Sequence, residues 1–84
     1  MNSKQKQTFE LIFKVTLPPD IAWADIESLL AALGAEISEG AGSRVRVKLN
    51  EVRAVFHRPH PQRITDRGAL SSVKRFLENA GVKP

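Results

Sequence analysis

The chain contains no cysteine and no long apolar run, and these two absences exclude several classes of protein. None of its 84 residues offers a thiol for a disulfide bond or a thiolate metal site. Cysteine content therefore does not indicate whether the protein is in an oxidising or a reducing compartment. No stretch of about 18 apolar residues is present, and no membrane-spanning helix is expected. The first seven residues lack the apolar core of a signal peptide. A soluble cytoplasmic protein is therefore the default expectation.

Acidic residues are scarce in the middle of the chain, where positive charge accumulates. Residues 40–67 contain 7 basic and 2 acidic residues, whereas residues 1–39 contain 3 basic and 6 acidic residues. A basic cluster is typical of nucleic-acid binding, and a merely solvated face explains the charge equally well.

Within this basic part, residues 43–49 alternate apolar and cationic side chains, which predicts a β-strand with two unlike faces. The apolar face consists of alternate positions: Val45, Val47 and Leu49. The cationic face consists of the positions between them: Arg44, Arg46 and Lys48. The apolar face suits a small core, and the cationic face suits a polyanion.

Helical periodicity predicts three helices, at residues 4–15, at residues 23–33 before Gly34, and at roughly residues 66–80 before Gly81. The apolar stripe of the first comprises Phe9, Ile12 and Phe13. That of the second comprises Trp23, Ile26, Leu29, Leu30 and Leu33. That of the third comprises Leu70, Val73, Phe76, Leu77 and Ala80. Thr65 or Asp66 is expected to cap the start of the last helix.

Three strands are predicted between the second and third helices. They cover residues 35–38, 43–49 and 52–57, with Asn50-Glu51 as the hairpin turn and residues 61–65 as a loop. The order α-α-β-β-β-α favours an α+β fold, in which a three-stranded antiparallel sheet packs on the helices with one face and leaves the other in water. The length predicts a single domain.

This order of elements also carries a family resemblance. Gly34, Gly42-Ser43 at the start of the basic strand, His60 after the hairpin and the helix opening Gly68-Ala69-Leu70-Ser71-Ser72-Val73-Lys74 resemble the HicA family of toxins over about residues 22–84. The resemblance implies a double-stranded-RNA-binding-like fold, messenger-RNA ribonuclease activity and neutralisation by a HicB antitoxin. It makes residues 1–84 one HicA-like domain, with residues 1–19 as an additional N-terminal helix and linker.

One position departs from the family pattern. The family's catalytic histidine follows Gly-Ser directly, and here that position holds Arg44. Histidine exchanges a proton near neutral pH, whereas arginine effectively does not, so the histidine's role cannot be assigned to Arg44. This leaves two alternatives: the chain binds RNA without cleaving it, or another residue transfers the proton.

The other candidates for proton transfer are His57 at the end of the third strand and His60 between two prolines. Cleavage through the 2′-hydroxyl needs a base, an acid and cations on the phosphate, which these histidines and the nearby arginines would supply. Two surface histidines at a strand end are the simpler interpretation of spacing alone. A metal site at His57 and His60 is not expected, because no Cys, Asp or Glu lies within several residues to complete a ligand set. No small-molecule cofactor is expected either.

The predicted RNA-binding residues lie in and beside the hairpin: Ser43, Arg44, Arg46, Lys48, Arg53 and Arg58. Trp23 and Phe56 fall on apolar faces, so an aromatic platform for single-stranded bases is not expected, and recognition of phosphates on duplex-like RNA fits better. The first hypothesis is a HicA-like toxin that binds messenger RNA, with its cleavage left open. The second is a catalytically inactive RNA-binding or interaction module whose basic face pairs with an acidic partner.

Overall fold

The computed structural model of the chain describes residues 1–14, 16, 20–59 and 63–84. The elements follow one another as α1 (Ser3–Lys14), β1 (Ile21–Ala22), α2 (Trp23–Ala32), β2 (Glu36–Glu39), β3 (Arg44–Leu49), β4 (Val52–His57), β5 (Ile64–Thr65) and α3 (Arg67–Asn79). Within the described residues, no helix has both the length and the apolar composition needed to cross a membrane.

The predicted three-stranded sheet is confirmed. Its strands lie in the order β2-β3-β4, and both pairs are antiparallel. The α+β architecture is therefore the one that the sequence indicated. The core face of β3 is the predicted set of Val45, Val47 and Leu49, which are all buried against the helices.

A second, two-stranded sheet corrects the prediction of a loop at residues 61–65. Ile64 and Thr65 form β5, which pairs antiparallel with Ile21 and Ala22 of β1. The Trp23 N–H then donates to the Arg63 carbonyl at 2.9 Å, so the start of α2 is tied to this small sheet. The sequence did not predict this sheet, because a strand of two residues is too short to show an alternating pattern. Its partner strand also lies more than 40 residues away in the chain.

The core is formed where α2 and α3 cover one face of the sheet. Phe56 of β4 lies between the two helices, with ring centroids 5.8 Å from Trp23 and 5.8 Å from Phe76. These three aromatic side chains are buried, and Phe9 and Phe13 are partly buried. The expectation that Trp23 and Phe56 are core residues is confirmed. None of the five phenylalanine and tryptophan side chains is exposed.

The N-terminal helix α1 packs against α2. Ile12 reaches the common core, and Gln5 Nε2 donates to the Ser28 hydroxyl at 3.0 Å. Lys4 Nζ lies 3.6 Å from a carboxylate oxygen of Asp25. The additional N-terminal helix, α1, therefore packs into the same hydrophobic core as the other two helices.

Helix ends and the hairpin turn use left-handed backbone conformations. Gly34 (φ +92°) and Gly81 (φ +82°) follow α2 and α3, and the Asp66 carboxylate caps α3 by accepting from the Ala69 N–H at 2.7 Å. Asn50 and Glu51 join β3 to β4 with φ of 49° and 69°, the signs of a type I′ turn. Asparagine tolerates this conformation, whereas glutamate is strained in it.

Replacing Glu51 with glycine is expected to stabilise the protein by about 0.5–1 kcal/mol, because glycine adopts positive φ without a Cβ clash. Urea unfolding measures the change as a shift in midpoint. The matched control is Glu51→Ala, which removes the same carboxylate and keeps the strain. Equal midpoints for the two variants would show that the turn stores no strain at this position.

Candidate nucleic-acid interface

The solvent face of the sheet carries a continuous group of cations. We call it the basic face and define it by four residues: Arg44, Arg46 and Lys48 of β3 and Arg53 of β4. Arg44, Arg46 and Arg53 are exposed, and Lys48 is partly exposed. They share one face because alternate residues of a strand point the same way, while the residues between them fill the core.

The pairing of β3 with β4 brings these side chains close together. The Arg58 N–H donates to the Ser43 carbonyl at 2.9 Å, so residues 43 and 58 form a hydrogen-bonded pair of the ladder. Pairs alternate, and the exposed residues therefore fall at the closer, non-hydrogen-bonded positions, with Cα atoms about 4.5 Å apart. These pairs are Arg44 with His57, Arg46 with Val55, and Lys48 with Arg53.

The Lys48–Arg53 pair sets two positive charges directly opposite each other, an arrangement that destabilises a sheet. Two carboxylates moderate the repulsion at this end. Glu51 Oε1 lies 3.8 Å from Lys48 Nζ, and Glu36 of β2 is the cross-strand neighbour of Lys48. Among the described residues, no carboxylate forms an ion pair with the other members of the basic face, Arg44, Arg46 and Arg53.

A shallow groove of about 590 Å³ runs across the basic face. Its lining includes Glu36 and Ser38 from β2, Arg46 and Lys48 from β3, and Arg53 and Val55 from β4. Val55 is 56% exposed in the middle of this cationic surface. The groove thus offers positive charge at both strands of the hairpin and an apolar contact between them.

The turn at residues 40–43 positions the start of β3. A side chain at Gly40 would place its Cβ 3.0 Å from the Arg44 Cβ, so glycine lets the chain reverse tightly beside this arginine. The Gly40 N–H donates to the Arg44 carbonyl at 2.9 Å, which closes the turn. Ser43, another of the predicted RNA-binding residues, is exposed beside Arg44, and its carbonyl is used by the Arg58 N–H.

Arg58 lies apart from the basic face, although the sequence grouped it with the RNA-binding residues. Its Nη2 donates to Glu27 Oε1 of α2 at 2.8 Å, and its Nη1 donates to Glu39 Oε2 of β2 at 2.7 Å. These bonds, with Glu27 first and Glu39 second, raise the pKa of Arg58 above its ordinary value. The guanidinium thus joins a helix, an edge strand and the end of β4 on the core side of the sheet.

Of the two histidines, His57 lies within the described residues. His57 is exposed at the end of β4, directly across the ladder from Arg44. His60 lies outside the described residues. In the part of the chain that is described, no three His, Asp or Glu side chains are grouped so that they could share a metal ion.

Sequence alone did not reveal which residues face each other across the sheet. Alternation along β4 puts His57 on the same face as Arg53, but the Arg44–His57 pairing follows only from the hairpin register. The two carboxylates that hold Arg58 were also missed, because they lie 31 and 19 residues earlier in the chain. No local sequence pattern indicates a contact between residues that are so far apart in the chain.

Comparison with known proteins agrees with the geometry. A family model described as the HicA toxin of bacterial toxin-antitoxin matches residues 23–82, which run from the start of α2 to just beyond α3. Searches of curated proteins and of solved structures gave no match. The matched range includes the whole hairpin and the basic face. The chain belongs to the HicA family of toxins, which act in toxin–antitoxin pairs.

Proposed function

We propose that this toxin binds RNA in the cytoplasm along the basic face, through phosphate contacts, and that a HicB-like antitoxin neutralises it. The observation that carries the proposal is the cluster of cations in the hairpin. Among the described residues Arg44, Arg46 and Arg53 form no ion pair, and Lys48, which pairs with Glu51, lies directly opposite Arg53. Repulsion of this kind lowers the stability of the free protein, and a bound polyanion removes it. We further propose that residues 1–84 form one domain, with residues 1–19 as an N-terminal extension.

The shape of the surface favours contacts to the RNA backbone over contacts to stacked bases. Arg44 and Lys48 are four residues apart on one strand, which separates them by about 13 Å, enough to span several phosphates. No phenylalanine or tryptophan side chain is exposed among the described residues, so these rings offer bases no stacking platform. Duplex-like RNA, which proteins recognise by shape and backbone, fits this surface.

The Arg44–His57 pair is the proposed cleavage centre. His57 would accept the proton of a 2′-hydroxyl, whose oxygen then attacks the adjacent phosphorus. Arg44, directly opposite, would stabilise the negative charge that develops on the phosphate oxygens. The bond from phosphorus to the 5′-oxygen breaks, and His60 is the candidate acid that returns a proton to this leaving oxygen.

Binding without cleavage is the second candidate function. It is favoured by Arg44 itself, which occupies the position of the histidine in the family pattern and is a poor base. Both candidates use the same basic face, and they differ only in whether a proton-transfer group acts beside it. Variants of Arg44 therefore separate them.

Loss of phosphate contacts is expected to change the salt dependence of RNA binding. The triple variant Arg44→Ala, Arg46→Ala, Lys48→Ala removes up to three contacts, so the slope of log K against log salt should fall by roughly 2–3. The slope is measured by titrating a labelled RNA duplex at several salt concentrations. Circular dichroism checks that the variant is folded.

The matched control removes the same charge from the helical layer. Lys6, Lys14 and Lys74 lie on α1 and α3, and none of them lines the groove of the basic face. Their triple alanine variant should keep a slope close to that of the wild type. If both triple variants lose the same slope, net charge alone explains the binding, and the basic face is not the site.

A further inference from the structure

We propose that the outer edge of β4 is a docking edge, at which an acidic extended segment of the cognate antitoxin adds a strand to the sheet. The inference rests on the pairing with an antitoxin that defines the family, and it does not depend on RNA binding. The edge borders the basic face and shares Arg53 with it, but the added strand would pair in the plane of the sheet and not on top of it.

The backbone groups of this edge are free to accept a strand. β4 is the last strand in the order β2-β3-β4. Because residues 43 and 58 form a hydrogen-bonded pair, residues 52, 54 and 56 point their peptide groups toward β3. The peptide groups of Arg53, Val55 and His57 therefore point outward, and no partner for them is present among the described residues.

Two of the usual protections against pairing, proline and a β-bulge, are missing from this edge. β4 is six residues long, contains no proline and keeps a continuous register with β3, so no bulge twists it away. Val55, near the centre of β4, exposes 56% of its surface. At the opposite edge, β2 has four residues, two of which are glutamates, and one of these, Glu39, is held by Arg58.

The charge beside the edge indicates an acidic occupant. A groove of about 220 Å³ separates β4 from α3, and its polar lining is Arg53, Ser72, Arg75 and Asn79. Phe56 and Phe76 contribute apolar surface to the same groove. No acidic side chain lines it, and neither arginine has an ion pair among the described residues.

A second copy of this chain fits the edge less well. Its own β4 would bring another Arg53 and no acid, while the glutamate of β2 nearest the sheet end is already engaged by Arg58. An antitoxin strand with acidic residues at alternate positions would satisfy the outward peptide groups and the two arginines together. Recognition by added strands uses backbone bonds for affinity and side chains for specificity.

Amide hydrogen exchange tests the proposal directly. The probe is the purified cognate antitoxin, added to the full-length wild-type protein. The N–H groups of Arg53, Val55 and His57 should exchange rapidly in the free protein and at least about 100-fold more slowly in the complex. A complex in which these amides still exchange as in the free protein overturns the proposal, and so does failure of the antitoxin to bind. Protection that appears without antitoxin and rises with protein concentration would assign the edge to a second copy instead.

Charge reversal supplies an independent test. Arg75→Glu places an acid beside the edge and away from the basic face, so antitoxin binding should weaken by about 10-fold or more, with RNA binding unchanged. Lys74→Glu is the matched control, since it makes the same charge change on the side of α3 that faces α1. Equal weakening by both variants would contradict the proposal. Neither measurement depends on RNA cleavage. The results therefore test the docking edge even if the proposed RNA function fails.

Discussion

Replacement of Arg44 by histidine is expected to increase the rate of RNA cleavage by about 10²–10⁴-fold, the usual contribution of a general acid or base. The change restores the residue type of the family pattern at the start of β3. It also places two histidines at facing positions, since His57 lies directly across the ladder. The wild type, with arginine at this site, is expected to cleave RNA weakly. Single-turnover cleavage of a labelled RNA measures the chemical step.

The matched control is Arg44→Gln, which removes the positive charge without adding a base. It should weaken RNA binding and give no gain in cleavage, so a gain in both variants would assign the effect to charge. If the wild type already cleaves strongly and His57→Ala together with His60→Ala leaves that activity unchanged, the proposed cleavage centre is wrong. Loss of cleavage in His60→Ala, with cleavage retained in His57→Ala, would assign proton transfer to the segment after β4 and not to His57.

Truncation of Leu30 to alanine is expected to lower the free energy of unfolding by roughly 2–5 kcal/mol. Leu30 has no exposed surface and lies on α2 beside Ile26 and Leu29, in the layer that covers the sheet. Small domains have a total stability of about 5–15 kcal/mol, so this single change removes a large share. Urea unfolding followed by circular dichroism measures the loss.

Leu33→Ala provides the comparison on the same helix. Leu33 follows the last turn of α2 and is only partly buried, so the same truncation should cost clearly less. A loss below about 1 kcal/mol for Leu30→Ala would mean that the packing of α2 differs from that described. Similar losses for the two leucines would point to an effect on the helix and not on the core.

The elements that the sequence predicted well are those with a local period. Residues 44–49 alternate strictly, and the strand, its buried face and its exposed cations all follow from that pattern. In α3 the apolar stripe, the Asp66 cap and the Gly81 stop are all encoded within sixteen residues. Such signals need no knowledge of the rest of the chain.

The features that the sequence did not predict are contacts between distant segments. β1 and β5 are two residues each and become strands only because they meet. Arg58 was grouped with the phosphate-binding cations, since a sequence shows its charge but not the two glutamates that surround it. Likewise, the pairing of Arg44 with His57 depends on a turn whose second residue, Glu51, adopts an unfavourable left-handed conformation.

With RNA as the proposed ligand, the like-charged pair of Lys48 and Arg53 would link the lifetime of the protein to ligand binding. An anion that binds the folded state alone raises its stability, by about 2.7 kcal/mol at a concentration 100 times its Kd. Toxin without RNA would therefore open more often than toxin on RNA and would be degraded faster by proteases that attack the unfolded chain. In this way the charges that recognise the ligand would also set how long an unoccupied molecule persists.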